Sequence, residues 1–258
     1  MPALSVQLYS LRAAIESDLP TTIKRVADIG FTRVEPYNFV STVDALAAAL
    51  DANNLTAPSA HAHLLDGNEE DVFKAAQRLG VTTVVHPHVD PEKWRSAGDI
   101  RATAEALNTV AAKAADHGLR IGYHNHWFEL EFVLDGRTGL EILAEALDPN
   151  VVLELDTYWA AAGGQDVVAL LGRLGDRVRL LHVKDGPIQV DPATQVAVGS
   201  GAMPIWDIIA AAKSLEVPVV ELDDFAADMF DALSDSFDYL SAGQPAPADA
   251  NPAATARA

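Results

Sequence analysis

The chain contains no cysteine. Disulfides and thiolate chemistry are therefore excluded, and any metal must be held by His, Asp, Glu or Asn. No apolar run approaches the roughly 20 residues that a membrane-spanning helix needs. The start, MPALSVQLYS, lacks a basic segment followed by an apolar one, so no secretion signal is expected. Cations are scarce: 18 Lys and Arg stand against 37 Asp and Glu, for a net charge of −19. With no Lys/Arg-rich stretch, such a surface repels polyanions, and nucleic acid is not an expected partner. These absences lead to the expectation of a cytoplasmic protein away from membranes. Most of the negative charge reads as a solvated surface, with a share available to a pocket that attracts a cation.

What is abundant is apolar sequence, 49% of 258 residues, enough for one large core. A short β-branched run followed by an Ala-rich amphipathic stretch repeats along the chain. The strand candidates are LSVQL (4–8), TRVE (32–35), TAPSA (56–60), TTVVH (82–86), LRIGYH (119–124), VVLEL (151–155), VRLLHV (178–183) and VPVVE (217–221). Helical stretches lie between them. DLPTTIKRVADIG has Asp18 placed as an N-cap, Pro20 in the first turn and Gly30 as the stop. NEEDVFKAAQRLG and DIRATAEALNTVAAKAADHG end in the same way at Gly80 and Gly118, and STVDALAAALDANN is rich in strong helix formers. Eight strands alternating with helices predict a parallel sheet, and eight units in this length match an α/β fold of the (β/α)8 TIM barrel type. An open doubly wound sheet would be expected to carry a Gly-rich turn after its first strand. Here that turn is YSLRAAIESD, without glycine. One barrel domain is expected over 1–240. The Ala/Pro-rich stretch 241–258 is too poor in apolar residues to offset ordering entropy and is expected to be disordered.

A barrel places its site at the C-terminal ends of its strands, with side chains alternating between interior and helix layer. Seven of the eight histidines fall at or just past predicted strand ends: His61, His63, His86, His88, His124, His126 and His182. Only His117 falls in a helix. By parity His124 and His126 share a face, as do Glu154 and Asp156, His182 and Lys184, and Glu221 and Asp223. If Leu180 and Val219 mark the inward face, then His124, Asp156, His182 and Glu221 converge at the mouth from four successive strands. Two imidazoles and two carboxylates suit a divalent ion, and the ligand types alone do not choose among Mn²⁺, Co²⁺, Zn²⁺ and Mg²⁺.

At these residues the sequence resembles the sugar phosphate isomerase/epimerase family, with a xylose-isomerase-like barrel. The resemblance runs from residue 4 to about 240. It is carried by SVQLYSLR, GFTRVEPY, IGYHNHWFEL, VVLELDTYWAAAGG, LLHVKDG, VGSGAMPIWDII and VVELDD, in that order. It implies one divalent metal, manganese first, on His124, Asp156, His182 and Glu221. It also implies a small-molecule sugar or keto-sugar as partner and is compatible with a homo-oligomer. In many ketose epimerases of this group the strand-five ligand is a glutamate, and two metal-bound glutamates exchange protons on opposite faces of the substrate. His124 stands at that position here, and Glu129 lies a few residues beyond.

The expected chemistry is proton removal next to a carbonyl, with the C–H acidified by the metal. Glu221 is the first candidate base. Lys184 is a candidate to hold a substrate oxygen or act as an acid. Glu35, His61, His86, His126, Trp127 and Trp159 are candidate substrate contacts. Glu35 has a structural pair with Arg33 as its alternative role. The aromatics Trp127, Phe128, Trp159 and Trp206 are placed in the loops after strands five to seven, where they either pack on a sugar ring or simply pack the loops. Isomerase/epimerase activity comes first, and a lyase or dehydratase acting by β-elimination on the same metal site is the rival. A metal-dependent endonuclease and a non-catalytic sugar-binding barrel come behind both. The glycine pair in VGSGAMP is a weak sign of a phosphate loop.

Overall fold

The computed structural model describes residues 2–244. Its eight parallel strands are β1 (Ser5–Gln7), β2 (Arg33–Glu35), β3 (Ser59–His61), β4 (Thr83–His86), β5 (Arg120–His124), β6 (Val152–Asp156), β7 (Val178–Val183) and β8 (Val217–Val220). They form a nearly closed barrel in sequential order, with β1 paired to both β2 and β8. The seam between β2 and β3 is held by isolated bridges, Arg33 to Thr56 and Tyr37 to His61, rather than by a ladder. A two-strand ribbon, Val133–Leu134 with Arg137–Thr138, lies outside the barrel.

The helices follow from the stop and start signals in the sequence. Asp18 interrupts the helix Arg12–Ile29 with extended backbone angles, and its Oδ1 accepts the Thr21 amide. The segment after Asp18 is therefore capped as its sequence suggests, while an additional helical segment precedes it. Gly80 and Gly118, both at φ 71°, end the helices before them. The last helix, Met229–Ala242, runs past Leu240. Most of the expected 241–258 tail lies outside the described residues. Among the described residues no helix is long and apolar enough to cross a membrane.

The barrel interior is apolar at its base and polar above. Val152, Leu180, Val217 and Val219 form a small buried cluster separate from the main core between strands and helices. Gly122 adds to this narrow base: a Cβ there would meet Val85 at 3.1 Å. A register shift between Leu153 and Glu154 decides what sits above. It sets Glu154 beside Leu180 and Asp156 beside His182. Without the extra residue Asp156 would align with Leu181, which belongs to the helix-facing core.

Candidate metal and substrate site

Above the apolar plug the strands build two polar layers. In the lower one Glu35, Glu154 and His182 are closed to solvent, while His61 and His124 reach up to the cavity above. Glu35 accepts from Gln7 Nε2 (2.8 Å) and from Ser59 Oγ, and His182 Nε2 lies 2.8 Å from it. His61 Nε2 approaches Glu154 Oε2 at 2.5 Å and Glu35 Oε1 at 3.2 Å. His124 Nδ1 and His182 Nε2 each lie 3.2 Å from the same Glu154 oxygen. Burial alone would favour neutral His61, but Glu154 and Glu35 outweigh it and hold the imidazole up at about 9. Burial and the neighbouring Glu35 push Glu154 up to about 7.

The upper layer centres on Lys184, which is fully buried. Its ammonium lies 2.9 Å from Asp156 Oδ2, 2.7 Å from Glu221 Oε2 and 2.6 Å from Asp223 Oδ2, with the Trp159 ring 5.3 Å behind it. Burial disfavours this ammonium, yet the three carboxylates more than compensate and keep it charged. Burial raises Asp156 to about 6 despite Lys184. Burial also acts to raise Glu221, but Lys184 and His182 prevail and hold it well below the usual carboxylate range. His182 spans the layers, with Nδ1 2.7 Å from Glu221 and Nε2 facing Glu35 and Glu154.

The four expected ligands do not form one cluster. One ligand atom each from Asp156, His182 and Glu221 lies within 4.8 Å of the others. His124 groups instead with His61, Glu154 and His182, and its Nε2 is 3.9 Å from Asp156 Oδ2. The upper set of one imidazole and two carboxylates fits a divalent cation in donor type. Asp156 Oδ2 is buried and accepts no well-directed hydrogen bond, which also suits a ligand. A cation there must draw Asp156 and Glu221 away from Lys184, leaving it paired with Asp223.

A cavity of about 380 Å³ opens above these layers. It is lined by Tyr9, Tyr37, Asn38, His61, His63, Pro87, His88, His124, His126, Glu221 and Asp223. Of the expected substrate contacts, His61 and His126 line it and four others do not. Glu35 lies in the lower layer, filled by Gln7, Ser59 and His182 rather than by Arg33. His86 points away from the interior, and its Nδ1 accepts the Leu64 amide. Burial, reinforced by nearby histidines, depresses His86 to about 3, so it stays neutral. Trp159 packs behind Lys184 in the helix Thr157–Ala162, and Trp127 packs on Trp159 at 5.2 Å. Trp206 lies in the helix Ile205–Ala211 and lines a different depression with Leu4 and Gly30. These aromatics belong to the packing because the segments after β5, β6 and β7 fold into helices against the barrel.

Tyr9, Tyr37, His63 and His88 were not among the expected contacts. Tyr9 and Tyr37 follow β1 and β2 by two residues, and their rings meet edge-on at 5.3 Å. Only their strand-end spacing marks them in the sequence. Glu129 is buried and turned from the cavity: it accepts from Tyr123 Oη and from the His126 amide, both at 2.8 Å. Burial raises it to about 8, so it is protonated at neutral pH. The glycine-pair loop also has an occupant. The Asp185 carboxylate accepts the backbone N–H groups of Gly186, Gly199, Gly201 and Met203 at 2.8–3.1 Å. A Cβ on Gly201 would come within 2.2 Å of Asp185 Oδ1. The loop cradles an anion, and the anion is the chain's own.

Comparison with known proteins agrees with this architecture. An inosose dehydratase from Geobacillus kaustophilus is 35% identical over 94 residues, 36% of this chain and 28% of that protein. The chain thus matches less than a third of that relative's length. The crystal structure of a sugar phosphate isomerase/epimerase from Parabacteroides distasonis superposes with a TM-score of 0.79 at 25% identity, covering 94% of each chain. An IOLI protein structure with a bound zinc atom superposes at 0.71 with 16% identity, covering 93% of this chain and 97% of that one. The family model described as xylose isomerase-like TIM barrel matches residues 23–220, and the chain belongs to that family.

Proposed function

We propose that the protein is a divalent-cation-dependent enzyme that removes a proton next to the carbonyl of a polyhydroxylated ketone, after which a β-oxygen leaves. Asp156, His182 and Glu221 would hold the cation, with His124 the next donor. Bound there, it supplies positive charge to the carbonyl oxygen and adjacent hydroxyl and so acidifies the C–H. Zinc is the metal in one structural neighbour, and manganese and cobalt suit the same donors.

Glu221 is the base. It lines the cavity, whereas Asp156 is closed off beneath it. Glu221 takes the C–H proton and returns it to the departing β-oxygen, so that a C=C bond forms and water is lost. Lys184 stays paired with Asp223, and its fixed positive charge beneath the cavity favours negative charge developing on the substrate oxygens above it. His126 is held neutral, down to about 3, by burial and then by Lys184, and it accepts or donates hydrogen bonds to substrate hydroxyls.

The observation that carries elimination over epimerisation is the position of the carboxylates. Both cavity carboxylates, Glu221 and Asp223, come from the end of one strand. The facing wall has His124 and His126; Glu129 beside them is protonated and turned away, and Glu154 and Asp156 are buried beneath the cavity and do not line it. Epimerisation by two opposed carboxylates lacks its second partner. Isomerisation or epimerisation with a histidine on the facing wall is the second reading, favoured by the 25%-identical neighbour that matches over nearly the whole chain. Proton NMR in D₂O with keto-cyclitols and keto-sugars tests the choice. Elimination gives a new olefinic or enol-derived product. Deuterium incorporation into a carbon-inverted or isomeric product with no loss of water supports the second reading, and no exchange on any substrate refutes both.

A further inference from the structure

We propose that the lower layer is a second divalent-cation site, held by His61, His124, Glu154 and His182 beneath the site at the mouth. One ligand atom from each of these four residues lies within 4.8 Å of the others, and all four residues are buried. Two of the polar atoms here have no hydrogen-bond partner, His124 Nδ1 and Glu154 Oε1. Leaving such atoms dry and unpaired is costly, and a cation would engage both residues.

The spacing is close to what a small ion requires. Tetrahedral zinc with nitrogen and oxygen ligands at about 2.0–2.1 Å sets neighbouring ligand atoms roughly 3.3 Å apart. Glu154 Oε2 is 3.2 Å from both His124 Nδ1 and His182 Nε2. His61 Nε2, at 2.5 Å, must withdraw by under an ångström. The charge also fits. The layer holds two carboxylates, Glu35 and Glu154, and neither is among the ion-pair partners of Lys184, which are Asp156, Glu221 and Asp223. One divalent ion with neutral imidazoles balances both. Three nitrogens and an oxygen without sulfur favour zinc or cobalt over magnesium.

Glu35 would then act from outside the ligand set, receiving Nε2–H from His182 when that ring serves the mouth. His182 offers Nε2 below and Nδ1 above, so it can bind on either side. It binds on both once its ring proton is released to solvent. The two sites are therefore linked through one ring.

Metal stoichiometry tests this. Full-length protein is stripped, dialysed against Zn²⁺ or Co²⁺, and analysed for metal per chain. The expected result is two equivalents in the wild type and one in each of His61→Ala and Glu154→Gln. Asp156→Asn, which weakens only the mouth site, is also expected to hold one. Glu154→Gln is nearly isosteric, and circular dichroism shows whether each variant is folded. In the cobalt form, the Asp156→Asn protein should keep the intense visible bands of four-coordinate Co²⁺, and His61→Ala should lose them. One equivalent that persists in both His61→Ala and Glu154→Gln overturns the proposal while leaving the mouth site standing. One equivalent lost in those variants but kept in Asp156→Asn supports the lower site and refutes the mouth site instead. No bound metal in the wild type overturns both.

Discussion

Lys184→Met tests the electrostatic centre of the molecule. Methionine keeps an unbranched apolar stem of similar length but removes the ammonium. Asp156, Glu221 and Asp223, whose oxygens lie 2.6–2.9 Å from Nζ, lose a shared counter-charge. Breaking one buried ion pair by removing a partner costs about 3–5 kcal/mol. The Asp223 side chain is 22% exposed and can rehydrate, so the main cost comes from Asp156 and Glu221. The metal-free variant should therefore be destabilised by about 3–5 kcal/mol at pH 8. At about 2–4 °C per kcal/mol for a chain of this size, that is a fall in Tm of roughly 6–20 °C. The deficit should shrink as the pH is lowered from 8 to 5. Asp156 already has its folded-state pKa raised to about 6, and its protonation removes the unbalanced charge. A divalent cation should restore the variant more than it stabilises the wild type, because in the wild type it first displaces Lys184 from two carboxylates. At a thousandfold excess over Kd, binding contributes about 4 kcal/mol. Calorimetry with and without Mn²⁺ or Zn²⁺ reads both effects. A metal-free variant within about 1 kcal/mol of wild type, or equal metal-induced shifts in the two proteins, would refute the reasoning.

Three other outcomes are expected. Asp185→Ala strips the acceptor from four backbone N–H groups, each worth about 1–3 kcal/mol when left unsatisfied, so the variant should melt far below wild type; a change of only a degree or two contradicts the cradle. Glu129→Gln replaces a protonated acid with an amide of the same shape, and kcat should stay within about tenfold of wild type; a loss comparable to that of Glu221→Gln would reinstate Glu129 as a catalytic acid or base. For His61 the folded-state pKa is raised to about 9 above its ordinary 6.5, so its contribution is fully present below pH 6.5 and is lost as the pH rises through about 9. The Tm of metal-free wild type should fall over that range, and His61→Gln should lack that part of the decline.

The barrel was legible because its signals are local. β-branched runs, caps such as Asp18 and stops such as Gly80 and Gly118 each act within a few residues, and the strand signal recurs eight times. The inward parity of His124, Asp156, His182 and Glu221 also follows from alternation along single strands. Their grouping does not, because it depends on one extra residue, Arg179 on β7, opposite the step from Leu153 to Glu154, that no pattern in VRLLHV reveals. That shift puts Glu154 within reach of His61, His124 and His182, so that His124 has a partner below as well as above. The roles of Glu35 and Lys184 were hidden for the same reason. Glu35 finds Gln7, Ser59 and His182 on other strands, and Lys184 finds three carboxylates that only the closed barrel brings together. Strand ends alone made His86 resemble a pocket residue. Its parity on β4 turns it instead toward the Leu64 amide.

The central claim is that Glu221 removes the proton next to the substrate carbonyl. The direct measurement is loss of that C–H signal in D₂O, followed by proton NMR for metal-loaded wild type and Glu221→Gln, with metal content determined on the same samples. The glutamine retains an oxygen ligand but cannot accept the proton. The account predicts exchange or elimination in the wild type and a rate lower by about 10²–10⁴-fold in the variant at equal metal loading. Exchange in Glu221→Gln within tenfold of wild type would contradict it.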